Sequence, residues 1–243
     1  MGTLLGIAQV LAQTPDPQPT GYVSDPARPA LNPFPAEQDW SVLASPARHP
    51  DFFDPAKYIR LGDEPEKYIS FGLEYRTEYE YYDNWMLGGG PQDHNGYVLS
   101  RVMPHFDLHA GPDFRLFSEW AFDYVAGRAG GPRPNLDEDA GDIHQTFVEI
   151  GPHVSGERGS SLRLGRQEVV LGSGRLFDNN EGPNVKLSFD GARWITQTSH
   201  LRVDAFVLKP VENNTGFFDD HLNAQQTAWV AISRFLCRLF RTV

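Results

Sequence analysis

Cysteine is almost missing from this chain: Cys237 is the only one in 243 residues. No disulfide can close within a single copy, and zinc or iron–sulfur sites built from several thiolates are excluded. Long hydrophobic runs are missing as well. Without a stretch of roughly 18 apolar residues no helical membrane span is possible, whereas a transmembrane β-barrel merely alternates and leaves no such run. Positive charge is scarce too. The 21 lysines and arginines stand against 32 acids, for a formal charge of −11, the reverse of the basic balance of a nucleic-acid binder. Apolar residues make up only 40% and mean hydropathy is −0.43, figures that by themselves fit a soluble acidic domain. What is present points elsewhere: 23 glycines, 19 prolines and 12% aromatics suit a protein of strands and turns.

The N-terminal stretch Leu4 to Ala12 is short and apolar, and Val10-Leu11-Ala12 has the small-residue pattern that precedes signal-peptide cleavage. The basic n-region is missing. Residues 1–12 therefore read as the remnant of a signal peptide, with a plain apolar N-terminus as the alternative. Residues 13–66 form a proline-rich extension, from Pro15 to Pro65, in which long helices and central strands are disfavoured. Order is expected to begin near Trp40 to Tyr58, where Trp40, Leu43, Phe52, Phe53 and Tyr58 offer apolar contacts.

After Tyr68 the pattern becomes strict alternation, and residues 67–243 read as one all-β domain. Ile69, Phe71, Leu73, Tyr75, Thr77, Tyr79 and Tyr81 share one face; Ser70, Gly72, Glu74, Arg76, Glu78 and Glu80 share the other. Such a strand is longer than the usual 5 or 6 residues and exceeds the roughly 9 to 11 needed to cross a bilayer at a tilt. Its tyrosine-rich end fits an interfacial girdle. Further strands are expected at Tyr97 to His109, Phe114 to Ala126, Ile143 to Gly151, Leu162 to Leu171, Lys186 to Thr196, Leu201 to Leu208 and Thr227 to Leu236, about eight in all. Very short turns alternate with long polar loops, as in an antiparallel up-and-down transmembrane β-barrel. Leu162 and Leu164 share parity with Arg166 and Glu168, so a bulge at Gly165 is expected to turn those two charges inward. The final residues, Trp229 to Val243, lose clean alternation and admit a short amphipathic helix instead.

The run Leu162-Arg163-Leu164-Gly165-Arg166-Gln167-Glu168, then Leu171-Gly172-Ser173-Gly174-Arg175-Leu176, Glu181-Gly182-Pro183-Asn184-Val185, Ser188-Phe189-Asp190-Gly191 and Val203-Asp204-Ala205-Phe206, resembles the alginate export family. Asp39-Trp40-Ser41, Asp54-Pro55-Ala56-Lys57-Tyr58-Ile59, Asn95-Gly96-Tyr97 and Gly130-Gly131-Pro132-Arg133-Pro134 extend the resemblance over about Trp40 to Val211. It implies an outer-membrane β-barrel, in contact with outer-membrane lipid, that passes alginate or a related anionic polysaccharide or small anionic solute by diffusion through an arginine-containing lumen. Periplasmic export partners are unspecified. The family's barrels use about eighteen strands, and about eight are legible in this sequence, so a C-terminally truncated product is expected. A soluble periplasmic polysaccharide-binding sheet and a non-functional barrel fragment are the alternatives.

Alternation names the lumen residues. Arg76, Arg101, Arg115, Arg163, Arg193 and Arg202 face inward, with Arg166 if the Gly165 bulge forms; Glu119 and Glu149 join Glu74, Glu78, Glu80, Asp107, Asp123 and Asp204 as inward acids. Guanidinium forks suit carboxylates entering a narrow pore. The same set also fits a cross-strand salt-bridge lattice that stiffens the wall. No catalytic constellation, cofactor motif or metal site is expected. His105 and His109, like Glu119 and Asp123, lie four residues apart on a strand, about 13 Å. The acidic loop Asp137-Glu138-Asp139-Ala140-Gly141-Asp142 lacks EF-hand spacing, and Gly172-Ser173-Gly174 lacks a dinucleotide context.

Overall fold

Alternation sustained over a dozen residues produces a ribbon with two unlike faces, and neighbouring ribbons must pair to satisfy their backbone groups. The computed structural model describes residue 29 and residues 34–45, 51–152, 158–172 and 174–235. In it the chain forms one antiparallel sheet of ten strands: β1 (Ile59–Arg60), β2 (Lys67–Glu80), β3 (Tyr97–Ala110), β4 (Phe114–Ala126), β5 (Asp139–Ile150), β6 (Gly159–Gln167), β7 (Phe189–Gln197), β8 (Leu201–Glu212), β9 (His221–Leu222) and β10 (Ala228–Phe235). Strands β1 to β8 pair in sequence order, β10 pairs with β8, and β9 is attached to the end of β8. This is the up-and-down topology expected from the pattern. The eight long strands correspond to the eight expected segments. The last of them, β10, is a strand up to Phe235, so the helix alternative fails there; residues 236–243 lie outside the described residues, as do the proposed signal remnant, most of the proline-rich extension and Ser173.

All the long connections, residues 81–96, 127–138, 168–188 and 213–227, lie at one end of the sheet. The short turns at 111–113 and 198–200 lie at the other. Gly111 makes the first of these turns possible, since its φ of +90° suits a residue without Cβ.

The two faces are reversed relative to a soluble protein. On β2 the apolar side chains are the open ones, with Phe71 at 44%, Leu73 at 62%, Tyr75 at 66% and Tyr79 at 63% exposure, while Arg101, Arg115, Glu119, Asp123, Glu149 and Arg163 are all 2% exposed or less. Tyr124 and Trp229 continue the aromatic belt at the long-loop end; Phe114 and Trp194 mark the opposite half. Charged residues are almost never buried without partners, and large apolar rows are rarely left open to water.

Two segments cover the polar inner face. The first is the N-terminal stretch, whose single turns Pro35–Glu37 and Ser41–Ala44 bring Ala36 against Phe117 and Phe147. The second is the long connection 168–188, anchored by Val169 in a small core with Phe189, Phe206 and Leu208.

The ladder irregularities fall in a different place from the one expected. Through Gly165 the register runs unbroken on both sides, Phe147 to Gly165 and Gly165 to Gly191. Between β4 and β5 it shifts: Glu119 faces Gln145 and Trp120 faces Ile143, leaving His144 as the extra residue. The reason is steric. Gly165 has φ +128° and its missing Cβ would stand 2.3 Å from the Thr146 carbonyl oxygen, so this glycine permits close backbone approach and inserts no extra residue.

Candidate functional site: the inner face and its charge lattice

One row perpendicular to the strands runs Tyr68, His109, Arg115, Glu149, Arg163, Arg193 across β2 to β7. Alternation puts each on the inner side; the register sets Glu149 between Arg115 and Arg163, and it also sets Arg163 directly opposite Arg193, so that carboxylates must offset a like-charge pair. Arg115 grips Asp107 with two bonds of 2.7 and 2.8 Å. Arg163 donates twice to Glu149, at 3.0 and 2.9 Å, and its guanidinium stacks 4.1 Å from the Phe147 ring centroid. Arg193 and Arg202 share Asp204, at 2.7 and 2.8 Å.

The N-terminal stretch adds a carboxylate to this row. Glu37 lies 3.2 Å from Arg163, and the carbonyl of Ala36 accepts a 2.7 Å bond from Arg115. Partial desolvation against the sheet would raise the Glu37 carboxyl, whose side chain is still 44% exposed; the guanidiniums of Arg163, Arg193 and Arg115 outweigh it and hold the group below its ordinary value.

A second level lies nearer the long loops. There Arg101 pairs with Glu74 at 2.7 Å and with Glu181, and Arg76 pairs with Glu78. Arg76 also donates 2.8 Å bonds to the carbonyls of Glu181 and Gly182. The connection leaves β6 and reaches β2, four strands away, a crossing of about 19 Å at the usual strand spacing. Asn184 fastens it midway by donating to the carbonyls of Ser100, Tyr124 and Asp137 at 3.0–3.3 Å. Lys186 bridges Glu181 and Glu74, at 2.9 and 3.2 Å.

The sheet therefore carries charges on one face and aromatics on the other, with a long connection laid across the charged face. A family model described as alginate export matches residues 67–234, more than two thirds of the chain. The chain belongs to the alginate export family. No curated protein and no solved structure gives a significant match. The alginate export family is an outer-membrane transport family and not a family of enzymes, and its members are associated with polysaccharide passage.

Within this alginate export sheet Arg76, Arg101, Arg115, Arg163, Arg193, Arg202, Glu119 and Glu149 lie on the one face that the N-terminal stretch and the 168–188 connection cover. Each of those arginines holds a carboxylate, across strands for Arg101, Arg115, Arg163 and Arg193 and within one strand for Arg76 and Arg202. Arg166 is a correction. Without a bulge at Gly165 it keeps the parity of Leu162 and Leu164 on the outer side, where it forms a bidentate pair with Asp190 at 3.0 and 3.2 Å and donates to the Ile143 carbonyl. Beside it in the same row Ser118 and Thr146 hydrogen-bond at 2.8 Å, so the outer face carries a short polar strip there. Glu168 does reach the interior, because β6 ends at Gln167 and the chain turns over the sheet. Glu37, Glu181 and Lys186 belong to the inner lattice but follow no strand alternation. The acidic loop is partly internal, with Asp137 paired to Arg133 at 2.6 Å.

Proposed function

We propose that this chain forms wall of an outer-membrane channel through which alginate, or a related anionic polysaccharide or small anionic solute, diffuses along the inner arginines, with lipid against the outer face. The observation that carries this reading is Glu37: a carboxylate supplied by another segment rests on Arg163, in the row that also holds Arg115 and Arg193. A uronate carboxylate presents the same group to the same forks. The lattice acids then have a second purpose. Guanidiniums without partners would hold a polyanion too tightly to release it, whereas arginines that exchange one carboxylate for another let it step along the wall, as conduction requires.

Planar-bilayer recording of the folded protein tests this. Added oligouronate is expected to block the current, Arg163→Glu and Arg193→Gln to weaken the block, and Arg166→Glu, on the outer face, to leave it unchanged. A block indifferent to Arg163 and Arg193 would remove the arginine row from the transport path.

A further inference from the structure

Between the two charged levels the inner face holds a group of side chains that the transport reading does not use. Glu119 on β4, His144 at the β5 bulge and Glu168 at the start of the 168–188 connection each offer one ligand atom, all within 4.8 Å of one another. They are 1%, 6% and 7% exposed. His144 Nε2 and Glu168 Oε1 are 2.7 Å apart. Glu119 Oε2 accepts a 2.8 Å bond from Gln145, but Glu119 Oε1 is shut off from solvent with no hydrogen-bond partner. Its neighbour, His105 Nδ1 at 3.7 Å, is equally unpartnered. A buried carboxylate oxygen with nothing to accept is expensive in a low-dielectric site, and a cation in the gap would satisfy it.

We propose that Glu119, His144 and Glu168 bind one divalent transition-metal ion of the zinc class, and that the ion clamps the 168–188 connection to the sheet. Imidazole nitrogen and carboxylate oxygen are both zinc donors, and these three ligands leave a fourth position for water or for His105, which would complete a set of two imidazoles and two carboxylates. Calcium demands six to eight oxygens, which these residues do not supply. His144 would turn its Nε2 lone pair to the metal with its proton on Nδ1. Lys186, 3.7 Å from Glu168, keeps its closer partners Glu181 and Glu74. The bulge acquires a purpose in this arrangement, since the extra residue is what brings His144 beside Gln145 on the inner face. The inference needs only the fold and stands apart from what passes through the channel.

Tag-free full-length protein, folded in detergent and stripped with a chelator, is titrated with Zn2+ by calorimetry and with Co2+ by visible absorption. One ion per chain is expected, with the intense absorption of low-coordinate Co2+. Glu119→Gln and His144→Ala should each weaken binding at least about tenfold, the scale seen even for outer-shell partners. Asp220→Asn, in the separate carboxylate group of Asp139, Asp142 and Asp220, should leave it unchanged. Zn2+ should also slow tryptic cleavage after the exposed Arg175 several-fold in the parent and not in His144→Ala; strand circular dichroism establishes that each variant is folded. No stoichiometric binding by the parent, or binding that survives both ligand substitutions, overturns the site. Binding without protection at Arg175 overturns the clamp.

Discussion

Replacing Leu73 by arginine separates a membrane wall from a water-facing sheet. Leu73 sits mid-way along β2, points outward at 62% exposure between Phe71 and Tyr75, and faces Pro104 across the ladder. No neighbouring side chain has to move to admit a longer group. If water bathes this face, the substitution belongs with ordinary surface changes, within about 0.5 kcal/mol of neutral. If acyl chains bathe it, an arginine near the bilayer midplane costs about 2–4 kcal/mol, falling to about 0–1 kcal/mol near the interface. At about 1.4 kcal/mol per factor of ten, the Leu73→Arg loss is about 30- to 700-fold in the folding equilibrium. Tyr79→Arg, one residue from the end of β2, should lose at most about fivefold by the same conversion. Denaturant unfolding from lipid vesicles, followed by tryptophan fluorescence, reads both variants. Equal and near-neutral effects at the two positions would refute the lipid-facing assignment.

Removing one member of the innermost ion pair should be costly because both partners are shut away: Arg163→Ala leaves Glu149 buried and is expected to destabilise the fold by about 3–5 kcal/mol. The double variant Arg163→Met with Glu149→Gln should recover much of that loss, and a single-variant loss under about 1 kcal/mol, the scale of an exposed pair, would show that the lattice is not buried in the working protein. Gly191→Ala places a Cβ 2.2 Å from the Val207 carbonyl oxygen at a φ of +152° and should lose about 1–3 kcal/mol, while Gly182→Ala, with nothing within 4 Å, should be silent in the same unfolding assay. In the 213–227 loop, burial raises Asp220 to about 6, helped by Asp142 and Asp219 and opposed by the Asn214 backbone N–H and Arg166. The folded state therefore takes up the proton more readily than the unfolded one, so the loop's stability is fully present below the unfolded value near 4 and is lost as pH rises through about 6. Hydrogen exchange of that loop at pH 5 and pH 7 should show the difference, and Asp220→Asn should abolish it.

Much of the sheet was legible because strand alternation is a local signal. Tyr68 to Tyr82 and Phe114 to Ala126 reveal both their extent and their two faces without reference to any other strand, and six arginines could be placed by parity alone. Arg166 follows parity as well, on the outer face with Leu162 and Leu164, and only the expected bulge misplaced it; parity fails at Glu168, because β6 ends at Gln167. Whether the phase after Gly165 is repaired by a bulge or by the chain leaving the sheet depends on the register with β5 and β7, which is a property of three strands together. The same limit hid the cluster of Glu119, His144 and Glu168. Its members are 25 and 24 positions apart, they meet only because β5 carries an extra residue, and nothing in their spacing resembles a ligand motif. Glu37 and Lys186 escaped notice for a related reason: both belong to connecting segments, whose placement across a sheet follows from contacts made far away in the chain. The pairs that hold them, Glu37 to Arg163 and Lys186 to Glu74, span more than 100 residues each.

The central claim is that one face of this sheet meets lipid and the other a polar interior. A nitroxide scan along β2, from position 71 to position 78 in a Cys237→Ser background reconstituted in vesicles, tests it most directly. Accessibility to oxygen should peak at 71, 73, 75 and 77, and accessibility to a water-soluble nickel chelate at 72, 74, 76 and 78, in strict alternation. The same chelate accessibility on both sets of positions would contradict a membrane wall.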